Sequence, residues 1–167
     1  ARTFASSNIN VKPVYASMEV EKGDYNLKID KIAQPAEITF ALPQAPASIS
    51  IENTTIEIDE SMSADAAMES IQSVCDRMNM DVERKGDQVT IRTRTTGSLQ
   101  KIDFADENGT KTTVRGADAK LTLGEGFADT ATYSSYGNLI TIRDNEGFEM
   151  EIEANEVGDV KLRTFDA

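Results

Sequence analysis

The chain has 167 residues, of which 39% are hydrophobic and 6% aromatic, with no Trp and no His. Lys plus Arg total 17 against 29 Asp plus Glu, a net charge of −12. That length fits one domain or two small lobes, and that charge repels phosphate backbones and anionic lipid, so neither nucleic acid nor membrane is expected as a partner. The lack of His removes the commonest general base and metal ligand. Cys75 is the single cysteine, which excludes an internal disulfide and a Cys-rich zinc site. No apolar run approaches membrane-spanning length, and the first residues do not read as a signal peptide.

Residues 1–12 are polar and unpatterned, with Phe4, Ile9 and Val11 scattered through them. Alternation starts at DYNLKIDKIA, where Tyr25, Leu27 and Ile29 share one face of a predicted strand. EITFAL is a second short strand. Pro43 and Pro46 then break the pattern, because proline cannot donate to a ladder. This segment reads as a hinge between lobes. In ASISIENTTIEIDES, Ile49 and Ile51 alternate, then Ile56 and Ile58, with a hairpin turn expected at Asn53-Thr54.

One helix is predicted, over about residues 63–79. Ser63 is its N-cap, Asp65 lies in its first turn, and Ala67, Ile71, Val74, Cys75 and Met78 form an apolar stripe. Strands resume on either side of Gly86-Asp87, with Val89 and Ile91 inward. Ile102 and Phe104 alternate before an exposed turn at residues 106–109. Leu121 and Leu123 mark the next strand. Residues 138–154 read as a hairpin turning at Asp144 to Gly147, and a last strand points Val160, Leu162 and Phe165 inward.

The stretch DNEGFEMEIEANE, residues 144–156, holds six carboxylates and is the first candidate for chemistry. In a strand, Glu149, Glu151 and Glu153 share one face at about 7 Å spacing, opposite Phe148, Met150 and Ile152. One strand cannot converge three of its own carboxylates on a cation. The row reads as a solvated face, eased by cross-strand Lys161 and Arg163. Cys75 has no His to activate it and reads as a small buried hydrophobe. Tyr133 and Tyr136 suit either a sugar-stacking patch or a hairpin corner packed by its own aromatics, and the corner is preferred. The Ser/Thr runs are potential O-glycan acceptors in an extracellular protein. No phosphate loop, metal spacing or triad appears. No catalytic, cofactor-binding or metal residue is therefore assigned, no cofactor is expected, and the chain is not read as an enzyme.

Three segments carry a resemblance. GDYNLKIDKIAQPAEITF resembles a stretch in the outer domains of bacterial flagellar proteins, through Gly23, Tyr25, Leu27, Ile29, Ile32, Ala33 and Gln34. Residues 47–98 resemble the next module there, through Ile49, Ile51, Ile56, Ile58, Ile71, Thr93, Thr96, Gly97 and Ser98. Residues 116–154 are similar to the flagellin insertion motif, with Gly116, Asp118 and Ala119 opening it and Asn138 and Ile140 in the strand that follows. The three occur in order over roughly residues 10–155. Two relatives compete: the central variable region of flagellin, and the filament cap, also called hook-associated protein 2. The resemblance places flagellin ahead.

The expected fold is α+β, mainly β, in two small lobes of antiparallel strands, one of them with a single packed helix. Residues 1–44 and 110–167 would form a base lobe and residues 45–109 an inserted lobe. The resemblance implies a structural role in an extracellular bacterial flagellum, serving motility and surface contact. It also implies export without a cleaved signal peptide. The cap, serving filament assembly and adhesion, is the alternative, and a free-standing adhesin or carbohydrate-binding module a further one. An acid-based hydrolase would need two close carboxylates in a deep pocket. Expected partners are other flagellar subunits, through helical segments that this chain lacks, with host surfaces or antibodies as further contacts. As an isolated fragment the chain is expected to be a monomer.

Overall fold

The computed structural model describes residues 1–129 and 132–166. In chain order it has β1 (Thr3–Ser6), β2 (Val11–Ala16), β3 (Gly23–Lys31), β4 (Pro35–Ala41), β5 (Ala47–Ile51) and β6 (Thr54–Ile58). Helix α1 (Ala64–Arg77) is followed by β7 (Met80–Lys85), β8 (Gln88–Thr96), β9 (Lys101–Ala105) and β10 (Lys111–Arg115). The chain closes with β11 (Ala119–Leu123), β12 (Thr132–Ser135), β13 (Leu139–Arg143), β14 (Glu149–Ala154) and β15 (Gly158–Phe165). Among the described residues the fold is mainly β with one helix, in small antiparallel sheets, as the alternation requires.

Two compact units divide the chain: Ala1–Gln34 with Asp118–Ala167, and Pro35–Ala117. These bounds correct the expected ones at 44/45 and 109/110. Strand β4 pairs with β8, and β10 with β9, so both belong to the second unit. The Pro43–Pro46 segment links β4 to β5 inside that unit and is no hinge between lobes.

In the first unit, a five-stranded sheet of order β1-β15-β3-β11-β12 shares a core with a three-stranded sheet of order β13-β14-β2. Alternation places Tyr25, Leu27 and Ile29 inward beside Leu121, Leu123, Val160 and Leu162. Met150, Ile152 and Ile140 come from the smaller sheet. The N-terminal residues, which carry no sequence pattern, form β1 and β2. Strand β1 pairs with β15 and buries little, so its signal is weak; β2 carries Pro13 and an irregular register against β14. In β15 the inward residue after Leu162 is Thr164, not Phe165, which is 45% exposed. The Thr164 hydroxyl donates to the Glu21 carbonyl at 2.7 Å, which lets a polar side chain hold an inward position.

In the second unit, sheets β10-β9-β5-β6 and β4-β8-β7 enclose Ile49, Ile51, Ile56, Ile91 and Ile102 together with Ile71, Val74 and Cys75 of α1. Ser63 caps the helix: its hydroxyl accepts from the Ala66 N–H at 3.1 Å. The stripe ends at Cys75, because Met78 is the C-cap and 37% exposed. The β5–β6 turn is Glu52-Asn53, one residue earlier than expected, with φ of 50° and 63°. Two left-handed residues in a two-residue loop match the strand twist. Glu52 tolerates that backbone while its carboxylate accepts from the Asp103 N–H at 2.6 Å and its N–H donates to the Asp103 carbonyl at 2.9 Å.

Candidate functional site

Strand β14 is the middle strand of its sheet. Met150 and Ile152 are fully buried, while Glu149, Glu151 and Glu153 lie half-buried on the opposite face. Glu149 faces Arg143 across the ladder, with an ion pair of 3.5 Å, and Glu153 lies opposite Lys12. The cross-strand bases expected, Lys161 and Arg163, belong to the other sheet, because β15 pairs with β1 and β3. Arg163 instead meets Asp24 at 2.8 Å, and its hydrogen bond holds the Asp24 carboxyl below its ordinary pKa. Among the described residues, no group of three or more His, Cys, Asp or Glu is placed to hold a metal ion.

The acids of the turn behave differently from those of the strand. Asp144 folds the turn on itself: its Oδ1 accepts from the N–H of Glu146 at 2.8 Å and of Phe148 at 3.0 Å. The segment after β2 docks alongside. The hydroxyl of Ser17, a buried residue, donates to the Gly147 carbonyl at 2.8 Å and accepts from the Glu149 N–H at 3.0 Å. Gly147 has φ +95°, and a Cβ there would meet Glu19 Cγ at 3.1 Å. Glu19 thus lies across the turn. The Tyr25 hydroxyl donates to the Glu21 carbonyl at 2.8 Å, and burial, followed by the Glu21 charge, raises its pKa.

These segments line a hollow of about 310 Å³, bordered by Glu19, Glu21, Asp144 and Glu146. Against it lies a second, apolar hollow of about 200 Å³, lined by Leu123, Phe127, Tyr133, Ile142 and Phe148 among others. Ala128, Asp144 and Phe148 border both. Tyr25, Phe127 and Phe148 pack as a trio, with ring centroids 5.2, 6.0 and 6.1 Å apart. Sequence reading singled out Asp144 and Glu146 but not Glu19, Glu21 or Phe127. No linear pattern joins these positions; only the sheet order brings them together.

The other candidates stay separate. Cys75 is fully buried in the second unit, and burial pushes its thiol up to about 11. That is the opposite of the low pKa a nucleophile needs. Tyr133 packs against the core of the first unit and donates its hydroxyl to the Arg143 carbonyl at 3.0 Å. Tyr136 is 58% exposed at the end of the same hairpin. No helix among the described residues is long and apolar enough to cross a membrane.

No protein-family model matches the chain. No curated protein matches it either. Solved structures do. The D2–D3 domains of the flagellar cap protein FliD from Escherichia coli align over 100% of this chain and 99% of theirs, with a TM-score of 0.63 and 16% identity. FliD from Bdellovibrio bacteriovorus aligns over 95% of this chain and 99% of its own, with a TM-score of 0.57 and 16% identity. FliD (HAP2) from Pseudomonas aeruginosa aligns over 98% and 84%, with a TM-score of 0.54 and 16% identity. These structures are of the cap, the second of the two relatives weighed from sequence, and the precedence given to flagellin is revised to match. Through both of its units, this chain has the fold of flagellar cap D2–D3 domains.

Proposed function

We propose that this chain is the outer, two-domain part of a flagellar filament cap. It is a structural component of the extracellular flagellum, joined to other flagellar subunits, and not a catalyst. The observation that carries this reading is the two-way coverage: a structure of the D2–D3 domains alone is matched along almost its whole length. A shared local motif would not extend through both units.

The experiment is immunogold labelling of flagella from the source bacterium with antiserum raised against this chain. A cap protein gives gold at filament ends only. Gold along the whole filament would make the chain a flagellin outer domain. Gold on the cell body with bare filaments would make it an adhesin, and either result overturns the proposal.

A further inference from the structure

The paired hollows lie between the β2–β3, β11–β12 and β13–β14 connections. The apolar one, at about 200 Å³, exceeds the cavity of roughly 150 Å³ that is known to take a benzene ring. The one beside it has, among the described residues, only acidic charges on its border. Among the described residues, Glu19, Glu21 and Glu146 form no ion pair, and no base lines their hollow. Lys22, their neighbour in sequence, is held by Asp166 at 3.2 Å. Arg143, on the apolar side, is engaged by Glu149.

We propose that this cleft is a docking site for an extended peptide segment of a partner protein, one carrying Lys or Arg two residues from a bulky apolar side chain. Charge complementarity selects the basic residue. The apolar hollow and the ring of Phe148 select its companion. Side chains two apart in an extended peptide lie about 7 Å apart on one side, which puts one into each of two adjoining hollows. Tyr25 and Phe148 of the aromatic trio line the acidic hollow, and Phe127 and Phe148 line the apolar one. The walls are preformed: Ser17 ties the β2–β3 segment to the turn, and Gly126 lets the third connection press on β3.

The test is calorimetric titration of the chain with the blocked pentapeptide Lys-Ser-Phe-Ser-Lys, at about 150 mM salt to screen diffuse attraction. Two further peptides, Lys-Ser-Ser-Ser-Lys and Glu-Ser-Phe-Ser-Glu, serve as controls. The first peptide should bind about tenfold more tightly than either control. The triple variant Glu19→Gln, Glu21→Gln, Glu146→Gln should weaken it about tenfold. An equal charge change in the other unit, Glu57→Gln, Glu69→Gln, Glu83→Gln, should alter it less than about twofold. Circular dichroism and the melting temperature check that both variants fold. Equal binding of the two lysine peptides would reduce the effect to net charge and overturn the proposal. So would equal loss in both triple variants. Calcium stabilisation that is abolished by the cleft variant, with no peptide binding, would make the site a cation site. Self-association abolished by the same variant would make the occupant a second copy. Either result also refutes the peptide.

Discussion

Gly126→Ala isolates the contact on which the third wall of the cleft depends. Gly126 has φ +98°, and an added Cβ would fall 2.3 Å from the Asp24 carbonyl oxygen and 3.0 Å from Tyr25 Cα. Both atoms are backbone and cannot swing aside. Alanine at positive φ costs about 1–2 kcal/mol before any clash. Relieving the clash means lifting the loop from β3. That strains the Asn26 N–H bond to the Glu125 carbonyl and the Gly124 N–H bond to the Asn26 carbonyl, both 2.8 Å. Each such bond contributes about 1 kcal/mol net. The expected loss is therefore about 2–4 kcal/mol, or roughly 10–25 °C in the melting temperature of a domain this size. Differential scanning calorimetry of the whole chain measures it. The transition of the first unit should fall while that of the second stays in place. A shift under about 4 °C would mean the loop moves without cost, and the packing argument would be wrong.

The same calorimetry tests the facing of β14. Met150→Asp should cost more than about 3 kcal/mol, since it buries an unpartnered carboxylate, whereas Glu151→Gln should stay within about 0.5 kcal/mol. The reverse order would mean the strand faces the other way. Added calcium should leave both transitions unmoved, because a cation bound only by the native state raises its melting temperature by mass action. Cys75 should react with a thiol reagent only as fast as the second unit opens, and a burst of labelling in native buffer would place it on the surface. Because its folded pKa rises from 9.0 to about 11, its contribution to stability is complete below pH 9 and is lost as pH climbs through 11; Cys75→Ala should flatten that part of the alkaline melting curve. Ser63→Ala should cost about 1 kcal/mol and lower the transition of the second unit alone.

Strand identity and strand facing were legible wherever alternation was backed by burial. The rows Tyr25, Leu27, Ile29 and Met150, Ile152 are read directly from the period of two. The helix start was legible because capping chemistry is local. What failed was set by partners distant in sequence. Phe165 is the next large apolar residue after Leu162 and reads as inward on that ground, but the period of two from Val160 and Leu162 falls on Thr164, which fills the inward slot opposite Gly23 because its hydroxyl finds a carbonyl. Lys161 and Arg163 look like counter-ions for a glutamate strand only while sheet order is unknown. The unit boundary slipped for a related reason. Proline marks a break in pairing, yet says nothing about which strands on either side of it belong together.

The motif DNEGFEMEIEANE contains two kinds of acid, and backbone geometry separates them. Along β14, extended backbone spreads Glu149, Glu151 and Glu153 apart and gives each a different cross-strand neighbour, so the row has no collective chemistry. In the turn, Asp144 uses its carboxylate to bind two N–H groups of its own loop, which leaves Glu146 projecting from a rigid corner. A corner of this kind is a fixed point to which another segment can be aligned. Ser17 does so with two hydrogen bonds, carrying Glu19 to the same rim. The rim is therefore built by a neutral residue and by glycines at positive φ, not by the acids themselves. Mutual repulsion among unpaired carboxylates opposes their gathering, so the gathering has to be enforced by the backbone around them. In this fold the acidic rim sits where Ser17, Gly126 and Gly147 supply that enforcement, beside the aromatic trio of Tyr25, Phe127 and Phe148.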